Sequence, residues 1–295
     1  MSAHVPVLTA DVLRFLQPAR GGLFLDCTVG LGGHAHALLE AGAGRVIGID
    51  RDPQALDAAR TTLAPWGDRV ELVHADYREF ERVLDDRGIP HVDGTLADLG
   101  VSSLQLEGAG RGFSFQRDEP LDMRMDRTSG TTAADLVARA TEGELADAIY
   151  AYGEERFSRR IARAIVHTRQ AEPIATTARL ATVVRGAVPT RGYQRIDPAT
   201  RTFQALRIWV NRELEGLDRF LLAAARRLRA GARLVVISFH SLEDRITKHT
   251  LRALGRQPGA SVAVLTKKPV IAGDAEIALN PRSRSAKLRA AEALG

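Results

Sequence analysis

Asp26-Cys-Thr-Val-Gly30-Leu-Gly32-Gly33-His34 is the stretch on which the reading of this chain turns. It closes a short apolar run, Gly22–Cys27, that reads as a buried strand, and His34–Ala41 after it begins a helix. Glycines at a strand-to-helix turn let the backbone approach a ligand closely, and the N–H groups of the helix start favour negative charge. Gly30-Leu-Gly32-Gly33-His34-Ala35 satisfies the G-x-G-x-x-G/A pattern of a dinucleotide site, which is weak alone. Asp50 follows roughly 20 residues on, at the end of a second strand, where a carboxylate meets ribose hydroxyls. Both NAD and S-adenosylmethionine carry such a ribose. Asp26 favours the second, because a carboxylate at the strand end suits an ammonium and a sulfonium and would repel a pyrophosphate. Read this far, the residues leave a methyltransferase and an NAD-dependent dehydrogenase open, and lean to the methyltransferase.

Outward from that turn, strand and helix signals alternate. Arg45–Asp50, Val70–His74 and Gly94–Leu99 read as strands. Asp52-Pro53 opens a helix through Leu63, and Tyr77–Leu84 is helical. Such alternation predicts a doubly wound parallel α/β sheet, Rossmann-like in plan. It stops at Ser102–Thr132, an irregular segment rich in Gly, Arg, Asp and Met. Helical patterns follow at Ala133–Tyr152, Glu154–Thr168 and Thr176–Gly186, then a Pro/Gly loop at Val188–Pro198. A helix is expected from Arg201 to about Leu228, a fifth buried strand at Arg233–Phe239, and a helix capped by Ser241. Val262–Val270 and Ser285–Ala290 are expected to form a closing antiparallel pair. The organisation this predicts is a sheet domain, residues 1–105 and 206–295, with a helical insertion domain at 106–205. Asp26, Asp50 and Asp98 end three successive strands, at the edge where such sheets bind ligands; each could instead cap a turn.

The 295 residues carry a net charge of +5, which favours an anionic partner such as nucleic acid. The single cysteine, Cys27, excludes an internal disulfide framework and a multi-cysteine zinc site, and no metal is expected from the eight histidines. No run approaches the ~20 apolar residues that span a bilayer, and the first residues lack a basic region followed by an apolar run. The expectation is a cytoplasmic protein without a membrane partner.

Longer motifs then make the chain resemble a known family. They begin with His4-Val-Pro-Val-Leu8, Asp26–His34, Gly48-Ile-Asp50-Arg-Asp52-Pro53 and Asp98-Leu-Gly100-Val-Ser102-Ser103. Arg111-Gly-Phe-Ser-Phe115, Pro120-Leu-Asp-Met-Arg-Met-Asp126 and Tyr152-Gly-Glu-Glu-Arg-Phe157 follow. Ala199-Thr-Arg-Thr-Phe-Gln-Ala-Leu-Arg-Ile-Trp-Val-Asn211, Ile237-Ser-Phe-His-Ser-Leu-Glu-Asp-Arg245 and Asn280-Pro-Arg-Ser-Arg-Ser285 complete the series. In this order they resemble the bacterial 16S ribosomal RNA (cytosine-N4)-methyltransferases nearly end to end. The resemblance implies a class I methyltransferase fold with a helical insertion that recognises substrate. It implies S-adenosylmethionine as cofactor and, as partner, 16S rRNA in the decoding region of the small ribosomal subunit. It also implies cofactor contacts: Gly32, Gly33 and His34 at the amino acid end, Asp50 at the ribose, Tyr77 by the adenine, and Asp98 and Gln105 completing the pocket. The family usually has Pro where this chain has Leu104, which frees the backbone beside Gln105. Asp76, beside Tyr77, could accept from the adenine amino group.

An exocyclic cytosine amine is a poor nucleophile, so its hydrogens need an acceptor and its lone pair needs alignment. Asp98 and the backbone of Leu99-Gly100 are candidates for that catalytic acceptor, unless Asp98 is used by the cofactor. His240 either takes the leaving proton or hydrogen-bonds its own turn. Asp122 and Arg124 either cover the site or form a salt-bridged loop. The target base must leave its stack, and Phe113 and Phe115 either receive it or anchor to the core. Arg156, Arg159, Arg160 and Arg163 share a helical face that either grips phosphates or is merely solvated. Lys267, Lys268, Arg282, Arg284, Lys287 and Arg289 form a second basic group. A competing function is a non-catalytic RNA-binding ribosome-assembly factor that retains the pocket as a relic.

Overall fold

In a computed structural model, residues 6–189, 196–256 and 259–295 are described. His4 and Val5 of the first motif and residues 190–195 of the expected Pro/Gly loop lie outside them. The chain divides into two compact units, Met1–Ser102 with Gly216–Gly295, and Ser103–Glu215.

Along the chain, the first unit begins with α1 (Thr9–Leu16), β1 (Leu23–Asp26), α2 (Gly33–Glu40) and β2 (Arg45–Asp50). It continues with α3 (Pro53–Leu63), β3 (Val70–His74), α4 (Phe80–Asp85) and β4 (Val92–Asp98). The second unit contributes α5 (Ser103–Glu107), α6 (Ala133–Arg139), α7 (Glu142–Gly153), α8 (Ser158–Ala171), α9 (Thr177–Ala187) and α10 (Ala199–Asn211). The first unit resumes with α11 (Leu217–Arg226), β5 (Leu228–Ser238), α12 (Ser241–Leu254), β6 (Val262–Val264), α13 (Asp274–Leu279) and β7 (Lys287–Ala293).

The first unit holds one seven-stranded sheet in the order β3-β2-β1-β4-β5-β7-β6. The first five strands run parallel, and β7 and β6 close the sheet antiparallel, as expected from the sequence. Both faces are covered, which is why the strands read as continuous apolar runs rather than alternating ones. Successive residues go to opposite faces. Leu25, Ile47, Ala97, Leu234 and Val236 pack with Phe80, Leu84, Phe220, Leu221 and Leu251 from α4, α11 and α12. Phe24, Val46, Leu96, Val235 and Ile237 pack with Val12, Leu38, Leu39, Leu56 and Ala59 from α1, α2 and α3. Order reverses between β1 and β4, so β2 lies on one side of β1 and β4 on the other, which opens a crevice at their carboxyl ends. The sheet and its two helical layers are the doubly wound arrangement expected from the sequence.

The second unit is helical around its own core, in which Val137, Leu145, Ile149, Ile161, Ile165, Leu180, Val184 and Leu206 meet. Two expected helices divide. Ala133–Tyr152 breaks at Thr141, whose hydroxyl accepts from the Glu144 amide while the Glu144 carboxylate takes the Thr141 amide, a capping box that starts a new helix. The helix expected from Glu154 starts at Ser158, so Arg156 lies in the turn ahead of it. The long helix expected from Arg201 to about Leu228 is α10 and α11. Arg212 ends α10 at φ 52° and Gly216 precedes α11 at φ 68°, both left-handed, a geometry that terminates one helix and restarts another.

Asn211, 2% exposed, fixes that ending. Its Oδ1 accepts from the Met125 amide at 2.8 Å, and its Nδ2 donates to the carbonyls of Met123 at 2.7 Å and Arg207 at 2.9 Å. It thereby ties the Pro120–Asp126 motif to α10. Removing it strands a buried donor and a buried acceptor, each worth roughly 1–3 kcal/mol. Asn211→Ala should therefore destabilise the second unit by about 3 kcal/mol, read as a lowered urea midpoint by tryptophan fluorescence; an unchanged midpoint would contradict this.

Candidate cofactor site at the strand ends

Parallel register brings the three sequence-predicted carboxylates together. Asp26 pairs in register with Gly48 and Leu96, and Asp50 with His74. The ladders run past the strand ends, with Cys27 N–H donating to Leu96 O, Val29 N–H to Ile49 O and Leu99 N–H to Ile237 O. These bonds fix the height at which each following turn leaves the sheet.

The turn after β1 is built by two carboxylates and a hydroxyl. Asp26 Oδ1 accepts from the Thr28 amide at 3.2 Å. Thr28 Oγ1 accepts from the Asp98 amide at 2.6 Å, joining the ends of β1 and β4. Asp50 Oδ2 accepts from Gly30 N–H at 2.8 Å, and its Oδ1 from Asp52 N–H at 2.9 Å. Gly30 and Gly32 stand at φ 52° and 86°, where side chains are disfavoured. A Cβ on Gly32 would also meet Leu63 at 3.0 Å. The glycines thus seat the turn on α3 and leave its outer side to backbone. Thr28 was not singled out from sequence; its position two residues past Asp26, where a side chain closes a local turn, was the available signal.

His34, the second residue of α2, is 6% exposed, with Nε2 at 3.4 Å from Asp98 Oδ2. Both of its ring nitrogens, Asp26 Oδ2 and Asp98 Oδ1 are buried without a hydrogen-bond partner. Unpaired buried polar atoms are rare and expensive, and here they gather in one place. Burial pushes the Asp26 carboxyl up to about 7, against the pull of His34 and the Thr28 amide. Burial likewise raises Asp50 to about 6, opposed by the Asp52 and Gly30 amides. For His34, burial works to lower the pKa, and the carboxylates of Asp98 and Asp26 outweigh it, so the imidazole holds its proton above the usual value. The arrangement is short of positive charge: the carboxylates of Asp98, Asp26 and Glu276 act on one imidazole. It fits a ligand with a cationic end and hydroxyls that reach Asp50, as S-adenosylmethionine has.

Tyr77 lies in the short 3-10 turn Tyr77–Glu79 after β3, edge-on to Phe220 with centroids 4.8 Å apart. Asp76 does not stand free beside it. It caps that turn, accepting from Arg78 N–H at 3.0 Å and Arg78 Nε at 2.7 Å, with Arg51 at 3.5 Å. Its carboxyl lies below the usual range: burial raises it, and the Arg78 bonds overcome that. Gln105, 4% exposed, belongs to α5 of the second unit.

His240, and not Ser241, caps α12. Its Nδ1 accepts from the Glu243 amide at 3.4 Å, and Glu243 Oε2 accepts from Phe239 N–H at 2.9 Å. Histidine is an uncommon cap, which is why the sequence suggested serine; the H-x-x-E spacing was the missed signal. His240 therefore hydrogen-bonds its own turn, and its Nε2 sits 3.2 Å from Glu243 Oε1.

Other candidates resolve toward structural roles. Asp122 and Arg124 form a salt-bridged loop, with Arg124 Nε donating to Oδ1 at 2.7 Å. Phe115 packs edge-on against Phe203 at 4.9 Å, and Phe113 is buried. Arg156, Arg159, Arg160 and Arg163 are exposed. Arg289 leaves the second basic group: it is buried and donates from Nε to Asp244 Oδ1 at 2.6 Å and from Nη2 to Oδ2 at 3.2 Å. Among the described residues, no helix is long and apolar enough to cross a membrane.

The pKa shifts carry a stability prediction. Asp26 ionises near 3.8 when unfolded and near 7 when folded, so the native state holds a proton that the unfolded chain releases between those values. Its contribution is complete below about 4 and lost as pH rises through about 7. Asp26→Asn should remove that decline and leave the ligand-free protein more stable than wild type at pH 8, by about 4 kcal/mol. Denaturant unfolding at pH 5 and pH 8 measures this, and parallel curves for the two proteins would contradict it.

Residues 1–294 match the model of the MraW methylase family. The chain is 50% identical over 307 aligned positions to Ribosomal RNA small subunit methyltransferase H of Geotalea uraniireducens, covering 98% of each. It is 53% identical over 292 positions to the protein of the same name from Sorangium cellulosum, covering 99% of this chain and 91% of the relative. Among solved structures it is similar to an rRNA methylase from Streptococcus thermophilus, with TM-score 0.41, 11% identity, and coverage of 94% and 92%. A match over residues 1–294, with the two relatives covered to 98% and 91%, sets the dehydrogenase alternative aside: the chain belongs to the MraW methylase family and is a methyltransferase.

Proposed function

We propose that this enzyme transfers a methyl group from S-adenosylmethionine to the N4 amine of a cytidine in 16S rRNA, in the decoding region of the small ribosomal subunit. One observation carries the cofactor half of the reading: the buried carboxylate of Asp26 and the half-buried one of Asp98, each with a buried oxygen left unpaired, beside His34, with Asp50 one strand away. When bound, the cofactor supplies an electrophilic methyl on a sulfonium. Asp26 and Asp98 hold its amino acid end with the backbone of Gly32-Gly33 and with His34. Asp50 takes the ribose hydroxyls, and Tyr77 with Phe220 forms an apolar wall for the adenine. Full use of the Gly30 and Asp52 amides by Asp50 leaves lone pairs on both oxygens for hydroxyl donors.

The acceptor half rests on the relatives named for small-subunit rRNA and on the resemblance of the motifs. The Asp98 oxygen that the cofactor does not engage and the Leu99-Gly100 backbone accept the hydrogens of the cytosine amine, favouring the nitrogen that becomes positive as the bond to carbon forms. Gly100 at φ 107° lets the chain turn sharply there against Phe239. His240 is a second candidate for the released proton, taking it on Nε2 as that atom's own hydrogen passes to Glu243 Oε1, 3.2 Å away. The second unit serves substrate recognition, with the exposed arginines of α8 on phosphates. The substrate places the enzyme in the cytoplasm.

The test is incubation with methyl-labelled S-adenosylmethionine and unmodified small subunits, followed by digestion to nucleosides. Label in N4-methylcytidine is the expected result; label in another nucleoside, or none, would overturn the assignment. Asp98→Asn should lower turnover at saturating cofactor by about 100-fold or more, and normal turnover would refute its role as acceptor. The combined change of Arg159, Arg160 and Arg163 to Ala should weaken RNA binding and flatten its dependence on salt by about three phosphate contacts. An unchanged salt slope would show that this face is only solvated.

A further inference from the structure

Pro6-Val7-Leu8, the described part of the first motif, has no part in the site described above, yet it touches it. Pro6 lies directly on the glycine turn: a Cβ on Gly33 would stand 2.7 Å from Pro6 Cγ. The segment after Pro6 is tightly held. Thr9 Oγ1 donates to Pro6 O at 2.8 Å, and Val7 and Leu8 are buried in the core beneath α2. Leu8 sits at φ 52°, a left-handed conformation that a branched side chain adopts only under constraint. It precedes the first residue of α1, so its amide has no partner within that helix.

The constraint comes from the other end of the chain. The Leu8 amide donates to Glu276 Oε1 at 2.6 Å, across 268 residues of sequence. Glu276 is half-buried on α13, which is anchored by Ile277 against the same core. Its carbonyl accepts from Asn280 N–H at 2.7 Å. Asn280 in turn caps the 3-10 turn Pro281–Ser285 through its side chain on Arg282 N–H at 3.2 Å. Pro6-Val7-Leu8 of the first motif and α13 with the Asn280–Ser285 motif are thus one assembly on the outer side of the glycine turn.

We propose that Glu276 is a positioning residue for the cofactor site. By accepting the Leu8 amide it holds Pro6–Thr9 against Gly33, and so sets where Gly32-Gly33 and the His34 ring stand relative to Asp26 and Asp98. The inference rests on the reading of that turn as the S-adenosylmethionine site.

The test compares Glu276→Ala, which removes the acceptor, with Glu276→Gln, whose amide oxygen can keep it. Three readouts are the calorimetric affinity for S-adenosylmethionine, KM against kcat, and hydrogen exchange at the Leu8 amide. The loss of one hydrogen bond to a charged acceptor corresponds to about tenfold or more in an equilibrium constant. E276A should therefore bind the cofactor about tenfold more weakly, raise its KM alike, and exchange Leu8 faster, while kcat moves less than KM. E276Q should recover most of the affinity. Wild-type affinity in E276A, or equal impairment in E276A and E276Q, would overturn the latch while leaving the site intact. Failure of the wild-type protein to bind S-adenosylmethionine would strike the site reading itself and take the latch with it.

Discussion

Everything in the first unit depends on parallel strand ends that finish at one edge with their carboxylates inside. A parallel sheet covered on both faces can expose its backbone only at its ends, so ligand chemistry concentrates there. Asp26 is wholly buried and Asp98 shares its neighbourhood with His34. Burying charge without a partner is costly, and the protein relieves only part of that cost through Thr28, the Gly30 amide and one imidazole. What is left unrelieved is selectivity for a cation. A ligand bringing positive charge repays the desolvation of these carboxylates, whereas a pyrophosphate would add to it.

The same economy explains why the glycine turn is so heavily braced. Gly32 rests on Leu63, Gly33 lies beneath Pro6, and the turn's amide at Gly30 is bound to Asp50. A site that works by placing backbone and carboxylates within a few tenths of an ångström needs support from outside, because a loop alone is mobile. Here the support comes from α3 on one side and from both ends of the chain on the other.

The sheet and the carboxylate set were legible in the sequence because they rest on local signals: apolar runs, a glycine turn, and aspartates where the runs stop. The register that aligns Asp26, Asp50 and Asp98 follows from those runs being parallel. Helix boundaries in the second unit were less legible. Arg201–Leu228 keeps helical spacing across the break, and the stop is imposed by Asn211 bonding to Met123 and Met125, which lie far away in sequence. His240 as a cap, Arg289 as a buried partner of Asp244, and Glu276 as the acceptor for Leu8 share that character. Each is a polar side chain whose role is set by a tertiary neighbour, and residue type alone pointed to solvent or to a different function. Phe113 and Phe115 show the converse, since apolar packing was the simpler expectation and is what the structure contains.

The claim that these carboxylates are built for a cationic ligand is tested most directly by proton release. With Asp26 ionising near 7 in the free protein, it is largely protonated at pH 6.5, and a bound ammonium and sulfonium should drive that proton off. Calorimetric titration of S-adenosylmethionine at pH 6.5 in buffers of different ionisation enthalpy should reveal the release of up to about one proton per molecule bound. That release should be largely lost in Asp26→Asn. Binding with no proton exchanged at that pH, in wild type as in the variant, would contradict the account.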